Sequence, residues 1–308
     1  MQTYFDRFRS NLELNDSFER MVSTRHTAVR SAIENIGAQI KESKLIGSLQ
    51  RRTRIQPRPQ DSFDIDILIV LGQFDYWLPT GGTTSGQALD YLLESVQQSD
   101  RYSAKSPTID APTISLDFAD GSRVELVPAY IDNIGSYASG VSTLPVGRGY
   151  WIPQAGGGWQ HADYDYDAEF ITKMNAVSAG RLIPGIKMLK AARRTHFTGL
   201  KSFALEVLAA HALPAAIGVS AQHQSAALTD TQLIRAFFAV AKDIIGGPIS
   251  IPGSNSPRID LAPADQLVLK SAFEAILVHI DATQRLTSQQ QAADAWRLLF
   301  GESFPARL

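Results

Sequence analysis

The stretch Ser62-Phe63-Asp64-Ile65-Asp66-Ile67-Leu68-Ile69-Val70-Leu71 decides how this chain folds. Phe63, Ile65, Ile67 and Ile69 recur every second residue, a period that predicts a strand with one apolar face. Side chains alternate across a strand, so Asp64 and Asp66 share the opposite face. Ile65 and Ile67 then anchor the strand in the core. Two neighbouring carboxylates repel each other unless a cation lies between them. Oxygen donors of this kind suit Mg²⁺, which keeps waters and substrate phosphates as its other ligands.

Upstream of this strand lies Gly47-Ser48. A glycine lets the backbone approach a phosphate closely, and Ser48 offers both an N–H and a hydroxyl to phosphate oxygens. Arg51, Arg52, Arg54 and Arg58 follow and give an anionic substrate a local field. A second metal needs another carboxylate from a neighbouring strand, either Glu125 or Asp117. Thr113 to Phe118 and Arg123 to Pro128 read as two strands joined by Ala119-Asp120-Gly121-Ser122. With Asp120-Gly121 as a two-residue turn, Glu125 lies opposite Leu116 and Asp117 opposite Val124. Cross-strand partners share a face, so Asp117 and Glu125 then face opposite ways and only one joins the site.

The rest of the chain frames this segment. Its 308 residues are 44% hydrophobic and 19% charged, with a net charge of -2, an ordinary globular composition with material for a sizeable core. No basic excess exists to coat extended nucleic acid. The absence of cysteine excludes disulfides, cysteine nucleophiles and cysteine-ligated zinc. No apolar run reaches a membrane-spanning length and Met1 to Ser10 has no signal-peptide core, so the expectation is a cytoplasmic protein. Asp16 to Ser43 reads as one amphipathic helix capped by Asp16 or Ser17, and 84–98 as another helix. Gly135 to Trp159 reads as a long loop, and Gly246 to Pro257 as a second. Helices are predicted at 166–179, 183–195, 200–213, 229–245, 263–283 and 288–300. The order predicts an α+β lobe over 1–165 packed on a helical lobe over 166–308, with a ligand cleft between them. Lys187, Lys190 and Arg194 fall on one helix face, and Lys187 and Arg194 read as solvated.

Gly47-Ser48 with Thr53, followed by Asp64-Ile65-Asp66, resembles the signature of the polymerase β-type nucleotidyltransferases. Glu125-Leu126-Val127-Pro128-Ala129, Trp159-Gln160-His161-Ala162-Asp163, Asn175, Leu189-Lys190, Leu200 to Glu206 and Trp296 to Phe304 are similar to segments of the bacterial cGAS/DncV-like enzymes (CD-NTases). The resemblance implies a polymerase β-like lobe with a mixed sheet on a helical lobe. It also implies a synthase that joins ribonucleoside triphosphates, ATP among them, into a cyclic di- or trinucleotide messenger for antiphage (CBASS) defence. It makes Asp64, Asp66 and Glu125 the ligands of two Mg²⁺ (or Mn²⁺) ions, with Glu125 standing where the family usually has Asp. It places Gly47, Ser48, Thr53, Lys190 and Ser202 on the nucleotide, with Phe203 stacking on a base or packing in the core. It implies a monomer whose activator, if one is needed, is a HORMA-type protein. Transfer of nucleotides to RNA ends or protein hydroxyls, and noncatalytic nucleotide binding, are the competing readings.

Overall fold

The strand carrying the acids forms as β2, Phe63–Leu71, in the middle of a mixed sheet. The computed structural model describes residues 1–36, 40–59, 61–71, 84–132, 149–223, 228–250 and 261–308. The sheet runs β1 (Ile40–Leu45), β2, β5 (Ser122–Ile131), β4 (Thr113–Asp117), β3 (Thr108–Asp110). Strands β2 and β5 are parallel, and the other pairs are antiparallel. Two short strands extend it, β6 (Tyr150–Pro153) on the end of β5 and β7 (Trp159–Ala162) on β6.

The two faces of β2 have different fates. Phe63, Ile65, Ile67, Ile69 and Leu71 pack beneath α2 (Asp16–Asn35) and α4 (Ser85–Gln97). Asp64 and Asp66 stand on the other face, where Leu68 and Val70 continue into a small cluster with Val127, Ala129, Tyr150 and Ile152. The alternation seen in the sequence is therefore real, and the acids sit at the edge of an apolar patch.

Several boundaries differ from the expectations. Helix α2 ends at Asn35, and Ile40 belongs to β1, which pairs with β2 through Leu45 and Ile67. The helical spacing of Ile40 is coincidental, because ladder hydrogen bonds outweigh local propensity. Asn15 caps α2, in place of Asp16 or Ser17, by accepting the Phe18 N–H at 2.8 Å. Of the loop expected over 135–159, residues 150–153 are strand, and residues 135–148 lie outside the described residues. Glycine and proline on both sides concealed Tyr150-Trp151-Ile152. Residues 251–260 of the second expected loop also lie outside.

The hairpin between β4 and β5 corrects the register. Phe118 N–H donates to the Ser122 carbonyl at 2.9 Å and Gly121 N–H to the Phe118 carbonyl at 3.0 Å. The loop thus has three residues, Ala119-Asp120-Gly121, with Gly121 in the left-handed region at φ 81°. Glu125 lies opposite Ser115 and Asp117 opposite Arg123. Asp117 and Glu125 consequently share a face, contrary to the two-residue reading. Position separates them instead. Asp117 ends its strand in solvent and pairs with Arg123 at 2.8 Å.

The second lobe consists of α5 (Tyr164–Val177), α6 (Leu182–His196), α7 (Ser202–His223), α8 (Asp230–Ile244), α9 (Pro263–Gln284) and α10 (Gln289–Phe300). Helix α7 continues through Pro214 beyond the expected end at 213, because burial of Leu205, Leu208 and Leu213 offsets the lost backbone bond. A first helix, α1 (Gln2–Leu12), was not anticipated. Its Tyr4, Phe5, Phe8 and Leu12 pack in this same core, with Phe5 edge-on to Trp296 at 5.2 Å between centroids. Residues 2–12 precede the sheet in sequence yet join the helical lobe in space.

Gly121 sets the register that carries Glu125. Gly121→Val forces a branched side chain into the left-handed region and should cost about 1–3 kcal/mol. Urea denaturation tests this, and an unchanged midpoint would contradict the three-residue loop.

Candidate active site

The parallel register places Asp66 beside Glu125 and Asp64 beside Arg123. Paired residues in a sheet share a face, so Asp64, Asp66 and Glu125 all project from one side. The turn entering the short helix α3 (Gly47–Gln50) is tied to the same place, because Ile46 N–H donates to the Asp66 carbonyl at 3.0 Å. Gly47 has φ 68°, and a Cβ there would lie 2.5 Å from Asp66 Oδ2. Conformation and space both demand glycine. The first N–H groups of α3 have no acceptor within the helix. The Ser48 carbonyl accepts from Thr53 and Arg54 N–H at 3.0 and 3.2 Å, which folds the arginine-rich loop back over the turn.

The carboxylates disturb one another. Burial, then the charges of Asp66 and Asp64, push Glu125 up to about 7. Burial and the Asp64 charge raise Asp66 as well, partly offset by Arg54 and Arg51. The two carboxyls stand side by side in the ladder, where a cation would relieve their repulsion. The donor set fits Mg²⁺ in chemistry: three carboxylates on one face, with room left for phosphate and water. Among the described residues no three acidic or histidine side chains already converge on one metal-holding point.

Two adjoining cavities open from this face and share Ser48, Arg54, Asp64 and Ser202. One, of about 460 Å³, holds Gly47, Asp66, Glu125, Phe203 and Asp167. The other, of about 480 Å³, is walled by Arg54, Arg58, Lys190, Arg193 and Arg194 against Asp61 and Asp64. Acids on one side and cations on the other suit a metal-bound polyphosphate.

Lys190 is buried in the wall. It donates to Glu206 at 2.6 Å and to Thr53 Oγ1 at 3.2 Å. Arg51 donates to the other Glu206 oxygen at 2.7 Å and lies over the Phe203 ring at 4.5 Å. Burial lowers Lys190 to about 8, with Glu206 opposing the shift. Glu206 is held below the usual carboxylate range by Lys190 and Arg51. Thr53 is fully buried behind Lys190 and lines neither cavity. Phe203 is half-buried and reaches the cavity with one face covered by Arg51. Lys187 and Arg194 are not solvated: Lys187 is buried against Glu13 at 2.5 Å, and Arg194 meets Asp61 at 3.2 Å.

Glu206 and Asp167 are two cleft residues to which sequence reasoning assigned no role. Asp167 sits in the first turn of α5, and its Oδ1 is buried without a hydrogen-bond partner among the described residues. Burial, with Asp163 and Glu206 adding repulsion and Arg51 opposing, raises it to about 7. Glu206 ends the Leu200 to Glu206 segment that carries part of the resemblance, whereas no motif marks Asp167; the contacts of both arise from the packing of α5 and α7 beside α3.

A mixed sheet that turns its acids toward a helical lobe in this way is the nucleotidyltransferase fold of the CD-NTases. Residues 1–141 match the model of the SMODS family, the Second Messenger Oligonucleotide or Dinucleotide Synthetase domain. The whole chain is similar to CdnC of E. coli MS115-1 solved with ATP, at 16% identity and TM-score 0.71, covering 99% of this chain and 98% of that one. CdnC in its complex with HORMA-deltaN matches at 15% identity and TM-score 0.69, covering 99% and 98%. Bradyrhizobium diazoefficiens CdnG in complex with GTP matches at 13% and 0.69, covering 98% and 96%. No curated protein matches the chain. Among the described residues no helix is long and apolar enough to cross a membrane.

Removing Glu206 strands two buried cations. Glu206→Ala should lower the unfolding free energy by about 3–5 kcal/mol, measurable by denaturant titration, and a loss below about 1 kcal/mol would refute a linking role. Asp167 has the opposite sign. Its folded pKa lies above the ordinary 3.8, so the fold loses stability as pH rises from about 4 to about 7. Asp167→Asn should therefore stabilise the protein by roughly 1–3 kcal/mol at pH 8 and little at pH 4. Equal effects at both pH values would contradict this.

Proposed function

We propose that the protein joins ribonucleoside triphosphates, ATP among them, into a cyclic di- or trinucleotide with release of pyrophosphate. The observation that carries this reading is the juxtaposition of Asp66 with Glu125 in parallel register, beside Asp64 and under the Gly47-Ser48 turn. The donor triphosphate lies along the cationic wall of Arg54, Arg58 and Arg194, with Ser48 and Ser202 donating to its oxygens. Lys190 reaches the same cavity while Glu206 and Thr53 hold its ammonium in place. Asp64, Asp66 and Glu125 would hold two Mg²⁺ (or Mn²⁺) ions, which when bound would supply charge neutralisation at the donor phosphate and a lowered pKa at the acceptor hydroxyl.

The chemistry on the protein side is positioning and electrostatics. The acceptor ribose oxygen forms a bond to the donor α-phosphorus as the bond to the bridging oxygen breaks. Pyrophosphate leaves along the arginine wall. The hydroxyl proton passes to a basic oxygen at the site, for which ionised Glu125, beside Asp66 in the sheet, is the candidate. A second transfer closes a dinucleotide ring, and a third is needed for a trinucleotide, each releasing one pyrophosphate. The solved complex of the similar CdnC with HORMA-deltaN supports a HORMA-type partner, and the resemblance supports an activating part for it and a role in antiphage defence.

Purified protein with the four ribonucleotides and Mg²⁺ or Mn²⁺ should yield a phosphatase-resistant cyclic product by mass spectrometry. Asp64→Asn with Asp66→Asn should reduce pyrophosphate release by at least about a thousandfold, roughly 4 kcal/mol of transition-state stabilisation, while circular dichroism stays unchanged. Glu125→Asp should keep substantial activity and Glu125→Ala should not. Nucleotide found attached to tRNA or to a protein hydroxyl would overturn the cyclic product. Turnover in a folded double mutant would overturn the site.

A further inference from the structure

A cavity of about 510 Å³ lies on the opposite side of the sheet from the carboxylates, between α2 and the segment leading to β3. Its walls include Met21, Arg25, Arg101, Tyr102, Lys105 and Phe118, and no described carboxylate lines it. In a chain of net charge -2, three cations around one cavity make a strong local field. They are also organised. The Arg25 guanidinium lies 4.1 Å and the Lys105 ammonium 4.5 Å from the Phe118 ring centre, and Arg101 lies 5.7 Å from that of Tyr102.

Arg25 supplies a second, independent sign of a ligand. One of its amino groups, Nη2, donates to Asp120 at 2.6 Å and so holds the β4–β5 hairpin. The other, Nη1, is buried with no acceptor among the described residues. A buried guanidinium N–H without a partner is costly, and an incoming anion would satisfy it. Lys105 and Arg101 make no ion pair among the described residues; their charges lie over the Phe118 and Tyr102 rings with no carboxylate beside them in the cavity wall. Apart from Thr24, the remaining wall is apolar, from Met21, Ala28, Tyr102 and Phe118. Flat guanidinium groups beside such a wall stack on nucleobases, and the volume lies in the range of small-ligand sites.

We propose that this cavity is a second nucleotide site, separate from the catalytic cleft, which takes a nucleoside monophosphate. Its phosphate meets Arg25 Nη1 and Lys105, and its base lies against Arg101 and the apolar wall. The site shares the β4–β5 hairpin with the catalytic face: Asp120, the partner of Arg25, is five residues before Glu125 on the same connection.

The test is photolabelling of the full chain with 8-azidoadenosine 5′-monophosphate, followed by mass spectrometry of its peptides. Label is expected within residues 18–30 or 101–118. Arg25→Ala with Lys105→Ala should reduce it at least tenfold without changing label in cleft peptides. Met21→Trp, which fills the cavity and keeps every cation, should do the same and guards against a misfolded double mutant. Label absent from these peptides, or unchanged in folded Met21→Trp, overturns the site. Inorganic phosphate displacing the label as well as AMP overturns the base-binding half of the proposal.

Discussion

Everything at the cleft depends on the parallel pairing of β2 with β5. Among the described strands that ladder is the one place where two run the same way, and it puts Asp66 beside Glu125. Both strands carry their apolar residues into the α2 and α4 core on one side and into the Tyr150 cluster at the far end of the other. A slip of one residue would bury the acids and expose Ile65 and Val124. The hydrophobic pattern therefore protects the charge arrangement, although the charges repel. Burial first, and then repulsion among the carboxylates, raise the pKa values of Asp66 and Glu125.

A second constraint joins the lobes. Glu206 reaches from α7 to Arg51 at the end of α3 and to Lys190 on α6, and none of the three is open to bulk water. A buried triad of this kind is weak evidence of net stability, since each charge lost its hydration. Its consequence is geometric. The Gly47-Ser48 turn, the lysine and the Phe203 ring occupy fixed positions relative to one another, which the proposed reaction, dependent on positioning, would use. Asp167 shows the contrary bargain, a carboxyl buried beside the cleft at a cost in stability. Groups whose environment opposes their charge tend to collect where ligands bind.

How much was legible beforehand can be followed residue by residue. The alternation of Ile65, Ile67 and Ile69 with Asp64 and Asp66 is a local pattern, and it survived folding unchanged. The helices of the second lobe were legible for the same reason, because an apolar stripe at helical spacing reports its own burial. The helix–strand boundary near Ile36 was not, since β1 exists only by pairing with β2. The hairpin register was missed by one residue because Gly121 serves a three-residue loop, and a dipeptide alone does not distinguish that from a two-residue turn. The allocation of α1 to the helical lobe depends on aromatic contacts with residues almost three hundred positions away.

By itself, then, the sequence determined the elements whose periodicity is local: the acidic strand, the glycine turn before it and the helical second half. It also carried the resemblance to the cGAS/DncV-like enzymes through the order of short motifs. Only the tertiary structure decided which third carboxylate faces Asp66, that Lys190 is locked to Glu206 and Thr53, and that Thr53 lies behind the cleft. It alone brought Arg25, Lys105 and Phe118 around one cavity. The physical reason is range. Side-chain alternation is set within a few residues, whereas burial, charge pairing and desolvation depend on groups that chain folding brings together from distant positions.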